Sequence, residues 1–333
     1  IPLKLFLHSF NKSLSLNKND AETYRLLGNV YFYINEHELA VIQFKKAVEL
    51  NPQDFLAING LALAFFQLGN YDESLKLYNQ SSNIRFNEPA FEGMGQVYYL
   101  KEDYNMAYSH LDRIFDLNRS TYAGFSYLVN TYNALGMYDE AIKLAKDKLA
   151  NDPIESRHYN YYGKLGAVYF MKGDLKNALA NLQKSVELHP SYAATQTSLG
   201  IVYLSLSDLS NAEKHLTEAS KLARITTANE AMSVYYYLIN DLDKSKENHE
   251  TAVKYPHNFG FSMVGYALLH LKQYDKAIEE FNIVINNNPD YYLPYKGIGK
   301  VYRALGQKEK SIENFDKAVK LNDLDEESKK LLE

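Results

Sequence analysis

The chain has 333 residues, a formal net charge of -5, 46% hydrophobic and 23% charged residues, and no Cys. The slightly acidic balance excludes the broad basic footprint of a nucleic-acid binder, and the missing Cys excludes disulfide frameworks, thiolate metal sites and Cys nucleophiles. No apolar run approaches the ~20 residues that span a bilayer, so the expectation is a soluble chain without direct membrane insertion, cytoplasmic ahead of periplasmic.

The chain opens on Ile1, and Phe10, Ser13, Leu16 and Asn17 have the spacing of Phe44, Ala47, Leu50 and Asn51 further on. Residues 1–20 are therefore expected to be the second helix of a truncated repeat, and the chain a fragment of a longer protein. Residues 21–54 give the clearest unit. Tyr24, Leu27, Gly28, Tyr31 and Ile34 recur at three and four and share one helix face, with Asp20 placed to cap it. Asn35, Glu36 and His37 interrupt the pattern. Leu39, Ala40, Ile42, Phe44, Ala47, Val48 and Leu50 resume it, and Asn51-Pro52 stops the second helix. The product is a helical hairpin whose helices approach closely at the small residues Gly28 and Ala40.

That small pair recurs nine times, twelve residues apart: Gly28/Ala40, Ala62/Ser74, Gly95/Ala107, Val129/Ala141, Gly166/Ala178, Gly200/Ala212, Ser233/Ser245, Gly265/Ala277 and Gly299/Ser311. Successive pairs begin 34, 33, 34, 37, 34, 33, 32 and 34 residues apart. A period near 34 with two helices per unit predicts a right-handed α-solenoid (superhelix) of antiparallel helix hairpins, an all-α fold. Repeats 1–4 are expected over residues 21–155, a short insertion at 156–158, repeats 5–9 over 159–325 and a C-terminal capping helix over 326–333. Three residues after each small one stands a large one: Tyr31, Phe65, Tyr98, Tyr132, Tyr169, Tyr203, Tyr236, Leu268 and Tyr302. These rings are expected to fill the space between hairpins. The fourth repeat departs most, with Val129 at the small position, and the extra residues Ser156, Arg157 and His158 follow it. Either the joint there is bent, or the insertion is absorbed without effect.

The small/aromatic/small triplets Gly28-Tyr31-Ala40, Gly166-Tyr169-Ala178 and Gly200-Tyr203-Ala212 carry a resemblance to the tetratricopeptide repeat family. So do Ala47, Ala219, Ala252 and Ala318 late in second helices, and the resemblance covers nearly the whole chain. It implies a concave groove, lined by first helices, that takes a peptide or protein partner. Some members hold the acidic C-terminus of chaperones with Lys, Asn and Arg from three successive repeats. Arg25 and Asn29 match the first pair of that clamp, but Gly60, Pro89 and Gly93 stand where its other groups belong.

No catalytic spacing is present: no phosphate loop, no His-Glu-x-x-His and no Gly-x-Ser-x-Gly, so no catalytic residue and no cofactor is expected. His249 stands where a Phe or Leu is expected, and no second His, Cys or carboxylate lies at a recognisable ligand spacing, so it reads as a neutral core residue and no metal site is predicted. The expected groove positions lie three before, one after and four or five after each small residue. They give Arg25, Asn29, Phe32, Asn59, Phe66, Gln96, Tyr99, Asn130, Asn133, Phe170, Tyr237 and Tyr266, a neutral face of amides and rings suited to an extended peptide. Lys296, Lys300 and Arg303 end this row. They would hold an acidic segment, or pair with the chain's own Asp323, Asp325, Glu326 and Glu327. The expected role is a non-enzymatic protein-interaction scaffold, the alternative being the substrate-recruiting arm of a larger enzyme, for example a glycosyltransferase. Self-association through Leu3, Leu5, Phe6 and Phe10 is a further expectation, since solenoid ends need polar caps.

Overall fold

The computed structural model describes residues 9–10, 12–115, 122–223, 226–254 and 258–332, and Leu3, Leu5 and Phe6 lie outside them. Among the described residues, 9–10 and 12–16 are helical, nineteen α-helices follow them, and no strand is found. The chain divides into two compact units, residues 1–131 and 132–333. The first holds α1 (Ala21–Tyr33), α2 (His37–Leu50), α3 (Phe55–Gln67), α4 (Tyr71–Ile84), α5 (Glu88–Leu100) and α6 (Tyr104–Phe115), and α7 (Tyr122–Ala134) carries residues of both. The second continues with α8 (Tyr138–Asn151), α9 (His158–Lys172), α10 (Leu175–Leu188), α11 (Ala193–Ser205), α12 (Leu209–Leu222), α13 (Thr226–Leu238) and α14 (Leu242–Ala252). It ends with α15 (Asn258–His270), α16 (Tyr274–Asn287), α17 (Tyr292–Ala304), α18 (Lys308–Leu321) and α19 (Glu326–Leu332). The extra residues after the fourth repeat form a single 3-10 turn, Glu155–Arg157, and α9 packs on α8.

Short polar residues start the helices. Asp20 accepts from the Thr23 amide, Asp54 from the Leu56 and Ala57 amides, and Asn87 from the Ala90 amide, while Asp174, Asp208 and Asp241 cap second helices in the same way. The hairpin turns share one device. The residue seven after the small one is left-handed in all nine repeats: Asn35, Gly69, Glu102, Gly136, Gly173, Ser207, Asn240, Lys272 and Gly306. The next amide then reaches back five residues, Glu36 N–H to the Tyr31 carbonyl at 2.9 Å and Gln307 N–H to the Tyr302 carbonyl at 2.9 Å.

The packing adds a second recurring position to the rings. The space at the close approach is filled by the residue sixteen after the small one. A Cβ on Gly28 would lie 2.7 Å from the Phe44 ring, one on Gly265 2.6 Å from Phe281 and one on Gly299 2.8 Å from Phe315. Phe44 also lies against Gly60 of the next repeat, so one side chain plugs two repeats. Phe44, Leu111, Leu182, Leu216, Phe281 and Phe315 are all buried. Of the rings three after the small residue, Tyr31, Phe65, Tyr98, Tyr169, Tyr236 and Tyr302 are only half-buried, and several carry a Lys ammonium over the face: Lys45 over Phe65 at 5.3 Å and Lys310 over Tyr302 at 5.1 Å.

The two units treat their inner faces differently. In the N-terminal unit the first helices α1, α3 and α5 lie side by side, and α1 buries only Thr23, Leu27 and Gly28. In the C-terminal unit α11 is buried on every side from Thr195 to Ser205 apart from Ser198, and it touches α15, two repeats away, as well as α13 beside it. The Phe170 ring of α9 meets the His270 ring of α15, three repeats on, with centroids 6.0 Å apart. The Asn322 side-chain amide donates to the Leu135 carbonyl at 2.8 Å, and the Lys296 ammonium lies 5.1 Å from the centre of the Tyr138 ring. The C-terminal unit therefore winds tightly enough to close on itself, and its concave side is core.

Candidate functional site

The three positions read as groove in each repeat can be followed along the first helices. In the N-terminal unit the row one after the small residue, Asn29, Leu63, Gln96 and Asn130, is half-exposed throughout, and so is the row four after it, Phe32, Phe66 and Tyr99. These side chains come from neighbouring helices, and their rings find local company. Phe32 packs on His37 with centroids 5.1 Å apart, Phe66 on Tyr71 at 5.8 Å, and Tyr99 on Tyr104 at 5.5 Å and on Tyr127 at 5.4 Å.

The row three before the small residue is not free surface. The Arg25 guanidinium is held by Asp54 at 3.4 Å and Glu22 at 3.6 Å. Asn59 is buried and donates its amide to the Asn87 carbonyl oxygen at 2.8 Å, which links α3 to the cap of α5. Glu92 is buried too, and Gln96 donates to it at 3.0 Å. These residues position helices rather than face a partner, because a long polar side chain next to a helix start satisfies exposed backbone or neighbouring caps.

In the C-terminal unit the same rows are mostly core, and four expected groove residues are corrected accordingly. Asn133, Phe170, Tyr266 and Lys296 are 3%, 1%, 3% and 0% exposed, because the tight winding presses their helices against others. Burial pushes the Tyr266 hydroxyl well above its ordinary range, and that hydroxyl has no hydrogen-bond partner. Tyr237 stays half-exposed beneath the Lys276 ammonium, 4.9 Å from its centroid, and Arg303 is exposed.

The basic end of the row is occupied by the chain itself. Lys296 reaches Asp325 at 2.8 Å and Glu327 at 2.8 Å, and Lys300 reaches Glu327 at 2.6 Å. Burial alone would lower the Lys296 ammonium, but Tyr138, Asp325 and Glu327 more than offset it and raise it above the usual lysine range. Glu327 is likewise pushed up by burial, yet Lys296 and Lys300 pull its carboxyl down to about 2. Of the two roles open to these lysines, pairing with the acidic tail is the one the folded chain adopts. Sequence spacing identified both partners but not the choice, which depends on where α19 lands.

Family profiles described as tetratricopeptide repeat match residues 157–225, 263–291 and 297–323, and one described as TPR repeat matches residues 28–69. The chain belongs to the tetratricopeptide repeat family. A TPR repeat-containing protein of Methanocaldococcus jannaschii is 24% identical over 325 residues, covering 89% of this chain and 56% of that protein. The Protein CTR9 homolog of Arabidopsis thaliana is 23% identical over 329 residues, covering 95% of this chain and 27% of that protein. The array thus spans about half of one relative and about a quarter of the other. A solved tetratricopeptide repeat protein from Parabacteroides merdae superposes with a TM-score of 0.56 at 17% identity, covering 68% of this chain and 90% of that one, a likeness of fold. Tetratricopeptide arrays of this architecture are protein-interaction scaffolds. No described helix is long and apolar enough to cross a membrane.

Proposed function

We propose that this tetratricopeptide array binds an extended segment of a partner protein along the first helices of its N-terminal unit, on the rows Asn29, Gln96 and Asn130 and Phe32, Phe66 and Tyr99. The observation that carries this is the contrast in burial: these positions are half-exposed across α1, α3, α5 and, at Asn130, α7, whereas their counterparts Ile201, Phe170 and Tyr266 are core. The chemistry suits a peptide. Amides at one row can donate to and accept from a backbone, and rings at the other can take alternate apolar side chains. Arg25 and the Lys296–Lys300 pair are already matched by carboxylates, so the recognised segment is neutral and apolar rather than acidic.

The test is capture of partners with the whole chain beside the triple variant Asn29→Ala, Phe32→Ala, Phe66→Ala, followed by affinity measurement on the captured protein. Central contact residues of this kind cost over about 1 kcal/mol each on truncation, so a loss of at least tenfold is expected. A partner held equally by both proteins, with helicity unchanged, would remove these rows as the site.

A further inference from the structure

Residue sixteen after the small one is Phe44, Tyr78, Leu111, Ala145, Leu182, Leu216, Phe281 or Phe315 in eight repeats, and His249 in the seventh. The sequence offered His249 no companion, because its companions lie on other helices. The structure supplies two. His249 Nδ1 on α14 is 3.1 and 3.0 Å from the two carboxylate oxygens of Glu230 on α13, and Glu280 on α16 brings a second carboxylate to the same point. One ligand atom from each of the three residues lies within 4.8 Å of the others.

Both carboxylates are out of water, Glu230 1% and Glu280 4% exposed, and the Oε2 oxygen of Glu280 has no hydrogen-bond partner. A buried, unpartnered carboxylate oxygen beside a second carboxylate is an expensive arrangement for a protein to keep. Burial, and then Glu230, raise the Glu280 carboxyl well above its ordinary range. The hydrogen bond to Glu230 raises the His249 imidazole above its ordinary range, while Lys276 and Glu279 act on both Glu280 and His249 from α16 with opposite signs, so a dication entering the cluster displaces protons from it. The cluster opens on a cleft of ≈ 620 Å³, also lined by Ser233, Tyr237, Lys246 and Lys276, which gives an ion an entry path and room for coordinating water.

We propose that Glu230, His249 and Glu280 bind one divalent transition-metal ion of the zinc class at the joint between the seventh and eighth repeats. Two carboxylates and a neutral imidazole balance a dication, and tetrahedral coordination needs three protein ligands and one water. Ligand atoms of such an ion sit about 3.3–3.6 Å apart for bonds of about 2.0–2.2 Å, so the 4.8 Å cluster closes on it by small side-chain rotations. Imidazole favours zinc, cobalt and their neighbours over magnesium and calcium. The ion would tie α13, α14 and α16 together where the other repeats use an apolar plug.

The experiment is calorimetric titration of the chelator-treated full chain with Zn²⁺, with Mg²⁺ as control, and absorption spectroscopy with Co²⁺. One ion per chain, visible Co²⁺ bands and a Zn²⁺-dependent rise in Tm are expected. Glu280→Gln keeps shape and hydrogen-bonding capacity, so it is expected to stay folded while losing at least about tenfold in Zn²⁺ association and the Co²⁺ bands. His249→Leu restores the plug of the other repeats and is expected to lose the bands as well. Absence of stoichiometric Zn²⁺ and Co²⁺ binding by the unaltered chain would overturn the proposal, and so would binding that survives Glu280→Gln unchanged, which would place the ion on surface histidines.

Discussion

Lys296 and Glu327 show how much a single residue's role depends on what folds over it. The Glu327 carboxyl is held at about 2 against an ordinary 4.5 by Lys296 and Lys300, so its charged form favours the folded chain. The sign follows directly: a folded-state pKa below the unfolded one contributes stability above pH 4.5 and loses it as pH falls toward 2. Urea midpoints measured from pH 6 down to pH 2 are therefore expected to lie higher for the unaltered chain than for Glu327→Gln near neutrality, and the gap should close between about pH 4.5 and 2. A gap that stays constant across that range would mean that the ion pairs with Lys296 and Lys300 contribute nothing. The sequence made both halves of this pairing legible, since Lys296, Lys300 and Arg303 share a helix face and the tail is acidic. It did not reveal that Lys296 would be buried, because that depends on Tyr138, more than 150 residues earlier.

Within each hairpin the left-handed turn residue is the common constraint, and five of the nine repeats meet it without Gly. Asn35 and Asn240 tolerate that conformation, but Glu102, Ser207 and Lys272 hold it at φ 60, 60 and 59° against their side-chain sterics. Replacing Lys272 by Gly is expected to raise stability by up to about 1 kcal/mol, read as a higher urea midpoint at unchanged slope. A drop would mean that the Lys272 side chain does something the turn geometry does not account for. The hairpins themselves were readable from the interval of twelve between small residues, and the caps from Asp and Asn before apolar periods. The turn position was not, because Glu and Lys give no local sign of positive φ. The plug position was half-readable: the apolar run of each second helix named Phe44 as core, but not as the side chain that fills Gly28 and Gly60 together.

At the scale of the molecule, the repeat period determines the hairpin and leaves the winding open. Small rotations between repeats add up, and whether the inner face stays a surface or becomes core depends on that sum. Charge alone did not reveal it: α11 and α15 carry no Lys, Arg, Asp or Glu, but neither do α3 and α7, whose Leu63, Phe66 and Asn130 stay half-exposed.

The hydrogen bond from Asn322 to the Leu135 carbonyl joins residues 187 apart in sequence. An open array folds by zipping neighbour onto neighbour, with only short loops to close. A closed one has to bring distant segments together at the end, and loop closure grows costlier with length by about 0.6 kcal/mol per doubling. That seam should form last and part first. Asn322→Ala is accordingly expected to speed unfolding in stopped-flow urea jumps while leaving the refolding rate nearly unchanged, and an equal slowing of refolding would place the seam in the nucleus instead. The C-terminal unit would then lose its structure all at once, like a globular domain, rather than fraying repeat by repeat from an end.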